Sequence, residues 1–177
     1  MGKRVVSTST LAGIRVVDVG DRIATAWCSR LLADYGADVF GVESDEGHFA
    51  RRLPPFDTSG ESLLAGYVLA NKKSVGAEVG KRLMRAADVI VTGLGDGESL
   101  LAQNPDAVVC AITPYGQTGD LKNCLGNDLT AYARSGWAYC NGLLGRPPLK
   151  GSGYQASYQA GTLAFGAILS ALIEQLA

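Results

Sequence analysis

The residues best placed to bind a small molecule lie at the ends of four predicted strands, at positions 20–23, 43–44, 92–95 and 114–116. Glycines in three of these segments would let a ligand approach the backbone closely, and Arg22 could pair with a phosphate group. Because the carboxyl ends of parallel strands meet at one edge of a sheet, the four segments predict a ligand site there. The alternative, in which the glycines only form tight turns, stays open.

Cysteine and histidine do not form a metal-binding pattern in this chain. Cys28, Cys110, Cys124 and Cys140 lack the short paired spacings of zinc ligands, and His48 is the only histidine. We therefore expect no metal, reduced cysteines that pack as small hydrophobic residues, and His48 in a solvated loop. The net charge of −1 and the scattered Lys and Arg argue against nucleic acid as a partner.

Alternating strand and helix patterns predict the elements that would position these residues. An apolar, β-branched run at 14–19 is followed by apolar residues at helical spacing over 24–35 and by a short strand at 39–43. The alternation predicts an α/β fold with a doubly wound, mostly parallel, Rossmann-like sheet. Further helices are predicted at 61–70, 80–86, 98–103, 156–177 and from Asn127 or Asp128 to Tyr139, and further strands at 74–79, 88–91 and 107–113.

The apolar strand residues predict the core of this sheet. Glu43, at the end of the second strand, resembles the acidic residue of nucleotide-binding α/β folds. Gly20 is not followed by the other glycines of the dinucleotide fingerprint, which disfavours a nicotinamide-dependent oxidoreductase. The residues expected to be buried are Val16, Val17, Val39, Val42, Val89, Ile90, Val108, Val109 and Ile112.

Length and composition predict a single domain, since the chain has 177 residues, of which 47% are hydrophobic and 19% charged. We expect a flexible polar leader at 1–10, no signal peptide, and a cytoplasmic protein. The uncharged stretch at 154–173 is long enough to cross a membrane. Its Gln, Ser and Thr residues favour a helix buried between protein surfaces, so we expect no membrane as a partner.

Seven segments of the chain occur in the order found in a known family. They read LAGIRVVDVG, CSRLLADYGADVFGVE, ARRLPPF, GESLLAGYVLANKKSV, AADVIV, NPDAVVCAITPYGQTG and GNDLTAYARSGW. Together they resemble the N-terminal part of the family III CoA-transferases, which include formyl-CoA transferase and alpha-methylacyl-CoA racemase. The resemblance extends from Leu11 to Leu172. It implies a single α/β lobe without the second domain that follows it in the family, where two subunits interlock.

The resemblance also implies where CoA would bind, as a substrate and with no further cofactor. The family's Ala-Gly-Pro loop after the first strand reads Ala-Thr-Ala at 24–26, and its Asn-Phe pair reads Gly-Leu at 93–94. Ser44 stands where the family often has a basic residue near the CoA adenine. Lys72 and Lys73 match the family and lie either near a phosphate or in a solvated turn. The expected CoA-binding residues are Ile23, Ala24, Ser44, Lys72, Lys73, Gly93, Leu94, Tyr115 and Gly116.

At the catalytic positions the chain departs from the family. The transferases use an Asp nucleophile, whose position falls at Ser157, or at Ala156 or Gln155 if the match shifts, and none of these is acidic. The racemases use a His, and Asn127 stands at that position. Asp128 is present, and we expect it to cap a helix.

Two functions are therefore compatible with the sequence. The first is a CoA-transferase that moves CoA between an acyl-CoA and a carboxylic acid, as part of a larger or partner-completed enzyme. The second is a catalytically degenerate domain that binds acyl-CoA or serves assembly. The missing Asp predicts that this chain alone is inactive. The apolar last helix predicts a homodimer, or a partner chain that supplies the missing lobe.

Overall fold

The computed structural model describes residues 9–175, so most of the expected leader at 1–10 lies outside the described residues. The chain alternates strands and helices. The strands are β1 (Arg15–Asp18), β2 (Asp38–Glu43), β3 (Lys73–Gly76), β4 (Val89–Thr92) and β5 (Val108–Ala111). The helices are α1 (Ile23–Asp34), α2 (Leu63–Val68), α3 (Ala77–Met84), α4 (Gly97–Gln103), α5 (Asp128–Arg134) and α6 (Gln155–Gln175), with short 3-10 helices at Phe49–Arg52 and Trp137–Cys140.

Within the described residues, the five strands form one parallel sheet in the order β3-β2-β1-β4-β5. β1 lies at the centre, where Val16 pairs with Val39 of β2 on one side and with Val89 of β4 on the other. The order of the strands changes direction at β1, and open α/β sheets bind ligands outside the carboxyl ends of the strands at such a point. The predicted parallel α/β fold is confirmed.

Alternating side chains of the strands bury two apolar cores, one on each face of the sheet. On one face, Val16 belongs to a cluster with Leu32 of α1 and Ile168 of α6. On the other face, Val17 belongs to a cluster with Leu100 of α4. Because successive strand residues point to opposite faces, neighbouring valines serve different cores. The sheet is therefore covered by helices on both sides, as the doubly wound prediction requires.

Four residues expected in the core are only half-buried. Three of the four lie in or next to β5, an edge strand with a neighbour on one side only. The half-buried residues are Val42, Val108, Val109 and Ile112, whereas Val16, Val17, Val39, Val89 and Ile90 are buried as expected.

Two predicted elements end at different residues in the structure. The helix expected to reach Tyr139 stops at Arg134, because Gly136 adopts a left-handed backbone with φ of 81°. A separate 3-10 turn follows, in which Trp137 stacks on the buried Tyr132 at 4.9 Å. Residues 77–79, predicted as strand, begin α3 instead.

The last helix, α6, crosses α1 in direct backbone contact. A Cβ atom on Gly161 would lie 2.5 Å from the carbonyl oxygen of Ala24. Close by, Trp27 Nε1 donates a hydrogen bond to Thr162 Oγ1 at 3.0 Å. Of the 21 residues of α6, only Gly161 and Ile168 are fully buried. By length and composition α6 is also the one described helix able to cross a membrane, with a mean hydropathy of 1.4.

Candidate functional site

An apolar cavity of about 240 Å³ opens at the carboxyl edge of the sheet. Its walls come from the loop after β1, the segment after β5 and the first turns of α5 and α6. The predicted ligand edge therefore contains an opening, and the expected CoA-binding residues Ile23 and Ala24 line it. The other lining residues are Arg22, Phe49, Ile112, Thr113, Pro114, Gly126, Asn127, Asp128, Ala131, Tyr154, Ala156, Ser157 and Ala160.

Two polar side chains meet in the wall of this cavity, Asp128 at the start of α5 and Ser157 in the first turn of α6. Asp128 Oδ1 accepts hydrogen bonds from the Ser157 backbone N–H at 2.8 Å and from Ser157 Oγ at 2.9 Å. Asp128 thus serves as a helix cap, as expected, but it caps α6 and not its own helix. Asn127 caps α5, since its side chain accepts from the Thr130 N–H at 3.1 Å.

The second carboxylate oxygen of Asp128 accepts no hydrogen bond. Oδ2 is buried, and Lys150 Nζ lies 3.0 Å from it as an ion-pair partner without hydrogen-bond alignment. Lys150 Nζ instead donates to the carbonyl oxygens of Gly151 and Gly153. The Asp128 side chain is 7% exposed, and that of Lys150 is 29% exposed. Asp128, a residue of the cavity wall, therefore has one buried carboxylate oxygen with unused acceptor capacity and a cation beside it.

Sequence reasoning missed the proximity of Asp128 and Ser157. No acidic residue occurs between positions 129 and 173, but the fold brings Asp128 to Ser157 across 29 positions of the chain. A local signal was available, because Asn127 followed three residues later by Thr130 is a capping-box pattern. That pattern assigns the α5 cap to Asn127 and leaves the Asp128 side chain available for another partner.

Lys72 lies in the protein interior, so the interpretation of a solvated turn is wrong for this residue. Its Nζ lies 2.9 Å from Ser29 Oγ, 3.0 Å from the Ala26 carbonyl oxygen and 3.4 Å from Asp18 Oδ2. Burial lowers the pKa of Lys72, while the neighbouring Asp18 carboxylate raises it. The left-handed backbone of Asn71, with φ of 62°, precedes it in the turn. Lys72 thus joins α1 to the end of β1, and its three donors have partners within the protein.

A water-sized opening of about 30 Å³ lies at the end of β2. Arg51 donates two hydrogen bonds of 2.7 Å to Glu43, which lower the pKa of Glu43 from its ordinary 4.5 to about 2. His48 is only 5% exposed, so its expected solvated position is wrong. The backbone N–H of His48 donates to Glu43, and its ring Nδ1 accepts from the Ala50 N–H. Burial lowers the pKa of the imidazole. Ser44 is exposed. It follows Glu43, the residue to which the Arg51 guanidinium is bound.

The remaining residues expected to bind CoA are spread along the same edge. Gly93 and Leu94 line a third opening, of about 370 Å³. Lys73 is exposed and lines the water-sized opening with Lys72. Tyr115 is half-buried and Gly116 is exposed, and neither lines these three openings. The structure therefore brings together the residues that follow β1 and the residues at the starts of α5 and α6. The CoA contacts themselves stay a prediction.

The glycines at the strand ends have structural reasons of their own. A Cβ on Gly20 would lie 2.4 Å from Thr25 Oγ1, and one on Gly93 would lie 3.1 Å from Arg22 Cγ. Gly116 has a φ of 83°, which favours glycine in a turn. Packing and turn geometry account for all three glycines, so the cavity, and not the glycines, indicates a ligand site.

Comparison with known proteins shows which family the sequence belongs to. The sequence profile of CoA-transferase family III matches residues 11–177. A succinate–glutarate CoA-transferase of Agrobacterium fabrum is 35% identical over 94% of this chain and 48% of its own length. The beta subunit of a succinyl-CoA–L-malate CoA-transferase of Chloroflexus aurantiacus is 35% identical over 94% of this chain and 46% of its own. The chain thus spans about half the length of the curated relatives it matches.

A solved structure has the same fold. The crystal structure of a CAIB/BAIF family protein from Brucella suis superposes with a TM-score of 0.86 at 32% sequence identity. The match covers 95% of this chain and 50% of the Brucella chain. The resemblance inferred from the seven sequence segments is confirmed, and so is its restriction to part of the family's length. The chain belongs to CoA-transferase family III.

Proposed function

We propose that this chain is the CoA-binding lobe of an enzyme that transfers CoA between an acyl-CoA and a carboxylic acid. The single observation that carries the proposal is the apolar cavity with Asp128 and Ser157 in its wall. Concave, mostly apolar sites with a few convergent polar groups are typical of small-molecule binding. The family resemblance puts the nucleophile position at Ser157, in the same wall. Relatives that are named as CoA-transferases support this function.

The cavity walls suit the acyl end of CoA. Ile23, Ala24 and Ala160 offer apolar surface for the thioester arm, and Arg22 offers a charge for a carboxylate. The names of two relatives include succinate, glutarate and malate, which are short dicarboxylic acids. We therefore propose a short dicarboxylic acid as the acyl group, with one carboxylate near Arg22.

The opposite end of CoA would lie near the end of β2. Ser44 does not provide the basic residue that the family often has there, but Arg51 is bound to the adjacent Glu43. The Arg51 side chain is 44% exposed, so its guanidinium has room for a phosphate as well as for Glu43. Exposed Lys73 adds a second cation nearby. These two residues would compensate for the serine.

A second copy or a partner chain would complete the site. α6 leaves Leu163 73% exposed and Ile173 67% exposed, although the helix is apolar around most of its surface. One of the relatives is itself named as the subunit of a CoA-transferase. We propose a homodimer through α6, or a partner that supplies the other lobe. Light scattering at tens of micromolar should show a dimer, and a monomer would contradict the homodimer.

Calorimetry with CoA and with succinyl-CoA tests the proposed binding. We expect Ala160→Phe to weaken binding by roughly tenfold or more, because the added ring fills the cavity. Ala102→Phe, on the exposed side of α4, should leave the affinity unchanged and serves as the matched control. Equal affinities for the two variants would contradict the assignment of the cavity, and no binding of either ligand would contradict the function.

A second candidate function, acyl-CoA binding without turnover, is favoured by Ser157, because a hydroxyl cannot form a mixed anhydride. A transfer assay with succinyl-CoA and glutarate distinguishes the two candidates. The transferase proposal expects turnover when the chain is combined with the lobe that corresponds to the rest of its relatives, whereas the binding-domain alternative expects none. For the chain alone, the expectation of no turnover stays a prediction.

A further inference from the structure

We propose that Asp128 is the nucleophile of this chain, so that a carboxylate on α5 takes the place of the missing carboxylate at Ser157. The inference rests on the proposed transferase function and assigns a residue to it. Asp128 lines the 240 Å³ cavity, and its Oδ1 lies 2.9 Å from the Ser157 hydroxyl. A carboxylate at Asp128 is therefore a few ångströms from the position where the family resemblance puts one.

The two oxygens of Asp128 have different surroundings, which suit different tasks. Oδ1 accepts two hydrogen bonds from Ser157 and is thereby held in place. Oδ2 accepts none and has the Lys150 ammonium 3.0 Å away. A positioned nucleophile needs one fixed anchor and one free lone pair, and this pair of oxygens provides both. If Asp128 were only a cap, Oδ1 alone would suffice.

The Ser157 hydroxyl is less suited to the attack. It donates a hydrogen bond to Asp128 Oδ1. As a nucleophile it would have to transfer that proton to a carboxylate, which is a much weaker base than an alkoxide. Attack by Oδ2 requires no proton transfer at all. The Ser157 hydroxyl then acts as a positioning group that orients the carboxylate.

The chemical step balances without any oxidant, reductant or proton donor. Oδ2 attacks the thioester carbonyl carbon, a C–O bond forms, the C–S bond breaks, and CoA leaves as its thiolate. The mixed anhydride on Asp128 is then attacked by that thiolate at Asp128 Cγ. The anhydride C–O bond breaks, the free acid leaves as a carboxylate, and CoA remains bound to Asp128 as a thioester. An acceptor carboxylate would remove it by the same two steps in reverse.

The test is to map a covalent adduct on the full chain. The chain is incubated with succinyl-CoA, quenched in acid, digested and analysed by peptide mass spectrometry. We expect a CoA adduct on the peptide that contains Asp128, its loss in Asp128→Asn, and its retention in Ser157→Ala at a lower yield. Asp120→Asn, an exposed change in the preceding loop, should leave the yield unchanged.

Calorimetry on the same samples separates the two hypotheses. If succinyl-CoA binds but the unmodified chain carries no adduct, or carries it on another residue or as a succinyl ester on Ser157, the assignment of Asp128 is wrong while the proposed function stands. If succinyl-CoA does not bind, the proposed function is wrong and the assignment is lost with it. The unmodified chain decides the question even if Asp128→Asn fails to fold.

Discussion

Replacing Gly161 by alanine should destabilise the protein, although alanine is ordinarily the better residue within a helix. Gly161 lies where α6 crosses α1. An added Cβ would lie 2.5 Å from the Ala24 carbonyl oxygen, 3.0 Å from Trp27 Cδ1 and 3.1 Å from the Cys28 backbone nitrogen. Two of these three atoms belong to the α1 backbone, which cannot rotate away as a side chain can.

Two opposing terms set the size of this effect. The change from glycine to alanine stabilises a helix by about 0.5–1 kcal/mol through the unfolded chain. Overpacking at a rigid contact costs about 1–3 kcal/mol. Because the α1 backbone must shift as a unit, we expect the cost to lie in the upper half of that range. The net loss should then be about 1–2.5 kcal/mol.

Urea unfolding, followed by circular dichroism, measures the difference. Gly166→Ala is the matched control, since it lies on the same helix and an added Cβ there would have nothing within 4 Å. We expect that control to gain about 0.5–1 kcal/mol. If Gly161→Ala proves as stable as Gly166→Ala, the close backbone contact between α1 and α6 does not exist and the reasoning is refuted.

Three further outcomes follow from buried or charged groups. Lys72→Met should cost about 3–5 kcal/mol in denaturant unfolding, because it leaves the buried Asp18 carboxylate without its cation; a loss under 1 kcal/mol would contradict the buried pair. The pKa of Glu43 is about 2 in the folded protein and 4.5 ordinarily. Its contribution to the free energy of unfolding is therefore full above pH 4.5 and is lost as the pH falls towards 2. Glu43→Gln should flatten the stability profile in that window, and an unchanged slope would argue against the pair. Native alkylation should label exposed Cys124 and spare buried Cys28, whose thiol pKa is raised by burial; equal labelling would contradict this burial.

The sheet was predictable because its signals are local. A short β-branched run, such as Val16 and Val17 in β1, indicates a strand without knowledge of its neighbours, and the alternation with helices then restricts the topology. Errors arose where a tertiary effect outweighs the local pattern. Residues 77–79 contain a valine typical of a strand but begin α3, and Gly136 interrupts a helix whose sequence pattern continues beyond it.

The polar part of the site was less predictable, because its contacts join distant parts of the chain. Lys72 reaches Asp18 across 54 positions, and the amphipathic pattern around a turn contains no information about such a partner. His48 follows the acidic segment from Glu43 to Gly47, which favours a solvated loop, yet its backbone N–H donates to Glu43 and its Nδ1 accepts from the Ala50 N–H, while its Nε2 is buried without a hydrogen-bond partner. Burial of a polar side chain depends on partners, and residue type alone does not show them.

Serine at position 157 changes what the neighbouring groups can do. An aspartate there would place a second carboxylate near Asp128, where 2.9 Å now separates the hydroxyl from Oδ1, and two buried anions in contact repel. Ser157 instead donates a hydrogen bond to Oδ1, and the Lys150 ammonium lies 3.0 Å from Oδ2 as its counter-ion. The cavity therefore keeps one negative group, which is what an attack on a thioester requires, and that group is held by α5. With serine at 157, Asp128 is the carboxylate of the cavity wall that can attack a thioester, and a CoA adduct on Asp128 is the outcome that the proposal expects.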